Sequence, residues 1–261
     1  MEGPLVPQVT IDGRSTSVEP GVTILHAARS LGIKVPTLCY HPAVEPTGSC
    51  RLCSVELTQG SRVRLVTACN FPIEEDGLEV KTDSPRVRHA RRWVLELLLA
   101  RSPEAEVLQR YAREYGLEQP RFRLETTDDC ILCGLCVQVC GELVGAHAIS
   151  FVGRGVHQHV ETAFRAASEE CIGCGACAVV CPTGAIAVED VEEVRRLPRW
   201  HTTVELARCP ACGERFAPSR QLSALTKKDV PIEDWLYMCP RCRRKLLGKN
   251  LTRARAGKVK L

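Results

Sequence analysis

Two copies of one cysteine run, CILCGLCVQVC from Cys130 and CIGCGACAVVC from Cys171, lie 41 residues apart in a chain of 261 residues. In each run the four thiols are separated by two, two and three residues. The other eight cysteines form two further sets, Cys39, Cys50, Cys53 and Cys69, then Cys209, Cys212, Cys239 and Cys242, so all 16 fall into quartets with none left over. Four thiolates are the usual complement of an iron-sulfur cluster or a structural zinc ion. The pattern therefore predicts several small modules, each too short to rest on apolar burial alone and each braced by a metal site.

The opening residues MEGPLVPQ lack the basic start and apolar stretch of a signal peptide, and the run from Trp93 to Ala100 is broken by Glu96. That run is far too short to span a bilayer, so a cytoplasmic location without direct membrane insertion is expected. Thiols are kept reduced there, which disfavours disulfides as the reason for so many cysteines. The formal net charge of +4 counts cysteines as neutral. Four loaded tetrathiolate sites at about −2 each would bring it to about −4, so the basic balance gives no reason to expect a nucleic-acid partner.

Near the amino terminus, Val9 to Ile11 and Ser15 to Val18 flank the turn signal Asp12-Gly13 and predict a hairpin. Thr23 is a fitting N-cap for a helix to Leu31, closed by Gly32, and Val55 to Leu57, Val63 to Val66 and Leu78 to Val80 offer more strands. A hairpin followed by a packed helix opens a β-grasp domain. Within it, ten residues separate Cys39 from Cys50, two separate Cys50 from Cys53 and fifteen precede Cys69. Plant-type ferredoxins have a first gap of only four. The segment CYHPAVEPTGSCRLC resembles the amino-terminal 2Fe-2S domain of the large iron-sulfur subunit of respiratory complex I, iron-only hydrogenases and hydrogenase diaphorase subunits. His41 is read as a loop residue, since four cysteines already complete the site.

Ser84-Pro85 predicts the start of a helix through Arg101, with Val87, Ala90, Val94 and Leu97/Leu98 on its apolar face. VRHARRWVLELLLARSP resembles a helical region of the larger relatives, where a histidine and three cysteines follow and hold a further 4Fe-4S cluster. Here no cysteine occurs between Cys69 and Cys130, so the segment is expected to be a helical spacer without that cluster. Arg86, Arg88, Arg91 and Arg92 are read as a solvated helix face.

The repeated runs match the bacterial 4Fe-4S pattern, in which the fourth cysteine crosses to the other cluster. By that rule Cys130, Cys133, Cys136 and Cys181 hold one cluster, and Cys171, Cys174, Cys177 and Cys140 hold the other. Short gaps curl the backbone around each cluster, and Gly134, Gly173 and Gly175 permit the tight turns. Pro182 follows the second run and Gly141 the first. The intervening ELVGAHAISFVGRGVHQHVETAF adds to the resemblance to the diaphorase small subunit of NAD-linked nickel-iron hydrogenases and to the complex I subunit. His147, His157 and His159 are read as loop and strand residues.

RCPACGERFAP and MCPRCRR supply two cysteine knuckles 26 residues apart, which suits a zinc ribbon on Cys209, Cys212, Cys239 and Cys242. A rubredoxin-like iron site is the alternative. The stretch from RWHTTVELARCPACGERFAP to CPRCRR also resembles the tail of ferredoxin-like subunits of formate hydrogenlyase. From Arg241 to Lys260 the tail holds nine Lys or Arg residues and no acidic one.

The expected architecture is α+β: a β-grasp 2Fe-2S domain over 1–83, a helical spacer over 84–122, a two-4Fe-4S ferredoxin domain over 123–190 and a zinc-ribbon domain with a basic tail over 191–261. No G-x-G-x-x-G follows a strand and no phosphate-binding GKS/T loop occurs, so no catalytic site and no nicotinamide or flavin site is expected in the chain itself. The resemblances imply an electron-transfer subunit of a soluble oxidoreductase complex. Its partners would be a flavin- and NAD(P)-binding diaphorase-type subunit and a catalytic subunit, either a hydrogenase or a molybdenum or tungsten enzyme such as formate dehydrogenase. A redox-sensing zinc-ribbon regulator that binds nucleic acid is the contrasting reading, and it lacks a helix-turn-helix signal or an aromatic RNA-binding motif.

Overall fold

A computed structural model describes residues 6–125, 127–226 and 234–255. Two compact units are present, Met1–Leu143 with Val180–Ala185, and Val144–Val179 with Ile186–Leu261.

In the first unit, β1 (Gln8–Ile11) and β2 (Arg14–Ser17) form the predicted hairpin, with Asp12 and Gly13 both at positive φ, as a tight primed turn requires. Asp12 also fastens the hairpin to the end of the sheet by accepting the Thr82 amide at 2.7 Å. The sheet is completed by β3 (Ser54–Gln59), β4 (Arg62–Thr67) and β5 (Leu78–Lys81) in the order β2-β1-β5-β3-β4, with β1 and β5 parallel. Across it lies α1 (Ile24–Ser30), whose first turn is capped by the Thr23 hydroxyl. Val9, Ile11, Ile24, Leu25, Val55, Leu57 and Val80 are fully buried between helix and sheet. Each such side chain contributes roughly 1.5–3 kcal/mol by leaving water.

The spacer is helical in α2 (Pro85–Arg101) and α3 (Glu106–Glu114). Ser84 caps α2 by accepting the Val87 amide at 3.2 Å, with Pro85 in the first turn. Its buried face differs from the expected one. Val87, Arg91, Leu95 and Leu99 form the stripe turned inward, Ala90, Val94 and Leu98 are half-buried at its margin, and Leu97 is exposed. The cause is Arg91, which is buried rather than solvated. Its guanidinium donates to the Ser54 carbonyl at 2.8 Å and to the Tyr115 hydroxyl at 2.9 Å, so the helix rolls to place that cation over the sheet. After the spacer, α4 (Leu135–Gln138) and a wider turn at Val139–Val144 carry Cys136 and Cys140, the last two thiols of the first cysteine run.

The second unit contains the short hairpin β6 (Ser150–Val152) and β7 (His159–Glu161), then α5 (Ala176–Val179) in the second cysteine run. A four-stranded antiparallel sheet follows, built from β8 (Glu189–Val191), β9 (Val194–Leu197), β10 (Thr202–Arg208) and β11 (Arg215–Pro218) in the order β11-β10-β9-β8. Along β10, Thr202, Val204 and Leu206 are buried while Thr203 and Glu205 are exposed, the period-two pattern of a sheet covered on one face. The cover is α6 (Ser219–Thr226), which packs on β10 and β11 with Leu222 buried. The last described element is α7 (Pro240–Arg255). Among the described residues no helix is long and apolar enough to cross a membrane.

Candidate metal centres

The amino-terminal quartet is drawn together inside the β-grasp unit. Cys39, Cys50, Cys53 and Cys69 are each no more than 6% exposed. The Cys50 amide donates to the Cys39 sulfur at 3.3 Å, so the loop curls until its backbone faces a ligand atom. Thiol hydrogen bonds from Cys50 and Cys69 hold Cys39 far below the ordinary thiol range, and the same bonds push Cys50 and Cys69 far above it. Cys53 is drawn down to about 7, chiefly by its bond from Cys69. Four buried sulfurs so close together cannot all ionise unless a cationic core neutralises them, and an iron-sulfur cluster is such a core. At Gly48 in the loop, φ is +67° and an added Cβ would stand 2.9 Å from the Asn70 side chain, so any other residue would be strained there and would have to push that amide aside. His41 accepts the Ala43 amide on Nδ1 at 3.3 Å and serves its own turn.

In the first run, Leu132 and Gly134 take positive φ and curl the chain back on itself. The Leu132 amide then donates to the Cys130 sulfur at 3.4 Å. The end of α2 anchors the run, because Arg101 Nε donates to the Cys130 carbonyl at 2.9 Å and the Ser102 hydroxyl to the Asp128 carbonyl at 2.6 Å. Cys133 is pushed up to about 12, first by burial and then by the nearby charges of Cys130, Cys181 and Cys39. Cys181, 48 positions further along, thus lies within electrostatic reach of the first run, in the same compact unit. Cys140 is half-buried in the turn that follows α4.

The second run belongs to the second unit, with Cys171, Cys174 and Cys177 all half-buried and Gly173 and Gly175 at positive φ. Three side chains of the carboxy-terminal module reach it. Trp200 donates its indole Nε1–H to the Cys177 sulfur at 3.4 Å, Arg195 donates to the Gly173 carbonyl at 3.2 Å, and Arg220 to the Cys171 carbonyl at 3.3 Å. None of these was legible in the cysteine spacing, which reports ligands and not the groups that surround them.

The last quartet converges most tightly. The sulfurs of Cys209, Cys212, Cys239 and Cys242 all lie within 4.8 Å of one another, and those of Cys212 and Cys239 are 3.7 Å apart. A tetrahedral ion with sulfurs at about 2.3 Å has an edge of about 3.8 Å, so the site suits a single metal ion rather than a multi-iron core. The first knuckle is the β10–β11 turn, closed by the Gly213 amide on the Cys209 carbonyl and the Cys209 amide on the Glu214 carbonyl, both at 2.8 Å. The second knuckle starts α7, where the Arg243 amide donates to the Cys239 carbonyl at 3.0 Å. Hydrogen bonding to Cys212, reinforced by burial, pushes Cys242 up to about 12.

Of the three histidines between the runs, His157 lies in a short helical turn and His159 in β7, with His159 Nδ1 2.9 Å from the His157 carbonyl. His147 is a loop residue at positive φ. None stands in a cysteine quartet.

Residues 8–85 match the 2Fe-2S iron-sulfur cluster binding domain family, and residues 125–188 and 170–214 match 4Fe-4S dicluster domain families. The chain is 36% identical over 233 residues to the G 2 subunit of the NADH-quinone oxidoreductase of Rhizobium meliloti, a match that covers 79% of this chain and 26% of that protein. It is 39% identical over 210 residues to the NADP-reducing hydrogenase subunit HndD of Solidesulfovibrio fructosivorans, covering 68% of this chain and 35% of that one. The chain therefore spans about a quarter to a third of the length of these relatives. Among solved structures, a chain of the NAD+-reducing [NiFe]-hydrogenase in its H2-reduced state superposes with a TM-score of 0.56 at 27% identity, over 84% of this chain and 96% of that one. Thiol quartets on a β-grasp sheet and in repeated runs thus coincide with the matched domains: the chain joins a 2Fe-2S iron-sulfur cluster binding domain to 4Fe-4S dicluster domains, and in this it is similar to parts of NAD(P)-linked hydrogenase and NADH-quinone oxidoreductase subunits.

Proposed function

We propose that the chain is a relay subunit. One 2Fe-2S cluster would be held by Cys39, Cys50, Cys53 and Cys69, one 4Fe-4S cluster by Cys130, Cys133, Cys136 and Cys181, and a second by Cys171, Cys174, Cys177 and Cys140. Its electrons would pass between a flavin- and NAD(P)-binding diaphorase-type subunit and a catalytic hydrogenase-type subunit. When bound, the clusters supply one-electron stations whose potentials the protein sets. The chain's own residues hold and insulate them.

The observation that carries this reading is the shared placement of two cysteine sets in the first unit. Cys133 feels the charge of Cys39 as well as that of Cys130 and Cys181, so the ligands of two stations lie close enough to influence each other electrostatically. Cys209, Cys212, Cys239 and Cys242 would hold one zinc ion, which is redox-silent and braces the hairpin against α7.

Anaerobic purification from the native host, with metal analysis and paramagnetic resonance, tests the assignment. About ten irons and one zinc per chain are expected, with one two-iron and two four-iron signals after dithionite reduction. Co-purifying flavin and catalytic subunits are expected in the same preparation. Material that holds only zinc, or that reduces a dye with NADH by itself, contradicts the proposal.

A further inference from the structure

Resting on the cluster assignment above, we propose that the carboxy-terminal sheet sets the reduction potential of the 4Fe-4S cluster to which Cys171, Cys174 and Cys177 contribute, with the Trp200 indole as the deciding donor. The zinc-type module would then tune an electron carrier in addition to bracing the fold.

Trp200 is 1% exposed and is the largest fully buried side chain of the described residues. An indole carries one donor and no acceptor, and burying that N–H without a partner is costly. Its partner is the sulfur of Cys177 at 3.4 Å. The chain holds the ring there by local geometry. Pro198–Trp200 is a single helical turn between β9 and β10, and it ends at His201 with φ +51°. The His201 amide closes the turn on the Pro198 carbonyl at 3.1 Å, and the Thr202 hydroxyl donates to the Trp200 carbonyl at 2.7 Å. A corner fixed at both ends cannot swing the indole away from the sulfur cheaply.

The loop that carries the ligands is pressed against the same sheet. Gly173 has φ +71°, and a Cβ there would stand 3.2 Å from Val204 Cγ2 on β10 and 3.3 Å from Pro218 Cβ on β11. Arg195 holds the Gly173 carbonyl, and its charge is offset by Asp190, whose two carboxylate oxygens it binds at 2.7 and 2.8 Å. Arg220 Nη1 lies 3.3 to 3.5 Å from the carbonyls of Cys171, Ser168 and Glu169. These arginines grip the backbone and act as positioning residues. Trp200 alone among the three binds a ligand sulfur.

The sign follows from charge. Reduction makes the cluster sulfurs more negative, and a hydrogen bond donated to a more negative acceptor is stronger, so the indole N–H favours the reduced state and raises the potential. Packing without a donor would give no such bias.

The test is a potentiometric titration of the anaerobic full chain, followed by paramagnetic resonance, in the wild type and in Trp200→Phe, which keeps the buried ring and removes the donor. At a fixed ambient potential the reduced-to-oxidised ratio of one 4Fe-4S cluster should fall about tenfold, equivalent to a midpoint lowered by about 59 mV for one electron. The 2Fe-2S midpoint and the iron and zinc contents should stay as in the wild type. Unchanged midpoints of both 4Fe-4S clusters at full metal content would overturn the proposal. If Trp200→Phe loses iron, wild-type protein labelled with 15N at the indole decides instead. A 15N coupling to a reduced cluster that persists in Trp93→Phe and in Trp235→Phe supports the proposal, and its absence from the wild type refutes it. A wild type with no four-iron signal fails earlier, at the cluster assignment itself.

Discussion

Gln138 donates from its side-chain amide to the Glu45 carbonyl across 2.8 Å, a bond between residues 93 positions apart. Glu45 stands in the long loop between Cys39 and Cys50, and Gln138 in the helix that carries Cys136. The bond therefore fastens one set of thiols to another inside a single compact unit. Gln138→Ala removes it, and also removes a buried Oε1 that has no partner among the described residues, so the cost is reduced. A loss of less than about 1 kcal/mol is expected, read as a small drop in the urea midpoint with the iron content unchanged. A loss of iron from Gln138→Ala would show that the contact is needed for assembly.

Cross-ligation makes a prediction about metal content. Cys181 follows the second run in sequence but acts electrostatically on Cys133. In Cys181→Ala the cluster on Cys130, Cys133 and Cys136 should be the one lost, lowering iron by about four per chain, and Cys140→Ala should take the other. Mössbauer spectra of the two variants, each compared with a variant of the nearest run cysteine, distinguish the pairings. Matching spectra for Cys181→Ala and Cys177→Ala would exclude the crossed arrangement.

Arg91 and Arg88 sit three residues apart on α2 and should behave differently. Arg91 is 3% exposed and holds Ser54 and Tyr115, whereas Arg88 is exposed and pairs with Asp83 at 3.0 Å. Arg91→Met leaves the buried Ser54 carbonyl and the half-buried Tyr115 hydroxyl without their donor and should destabilise by about 2–3 kcal/mol. Arg88→Met should cost less than about 1 kcal/mol. Denaturant midpoints measured side by side are the check, and equal shifts would contradict the burial of Arg91.

Removal of the zinc-type ion should act locally. In Cys212→Ser the knuckle between β10 and β11 loses a ligand, and the start of α7 is no longer tied to it. Zinc should fall to near zero, and limited trypsin digestion should cut earlier at Arg215 and Arg243, while iron content stays within about one ion of the wild type. A strong chelator applied to the wild type should reproduce the cleavage pattern. Loss of iron in step with zinc would mean that the module is needed to retain the second cluster as well as to tune it.

Short-range signals in this chain were readable because their physics is local. Asp12-Gly13 supplied the two positive-φ residues of a hairpin, Ser84-Pro85 began a helix, and Gly134, Gly173 and Gly175 take the positive φ expected of them in the cysteine runs, while Leu132 takes it in the first run without a glycine to announce it. The inward face of α2 was misread because apolar periodicity gave no weight to Arg91, whose burial depends on Ser54 and Tyr115, positions 37 and 24 residues away. The Trp200 donor was missed for the same reason, as was the Gln138 tie.

The sequence by itself determined the number of thiol quartets, their grouping by spacing, and the β-grasp frame, because ligand gaps and turn residues act over a few bonds. Tertiary structure alone decided which polar groups surround the sulfurs: the Cys50 amide on Cys39, the Trp200 indole on Cys177, and the charges felt by Cys133. Metal chemistry is set by the ligands and is written in the chain as residue type. Redox tuning is set by hydrogen bonds and burial, and these arise only when segments far apart in sequence pack together.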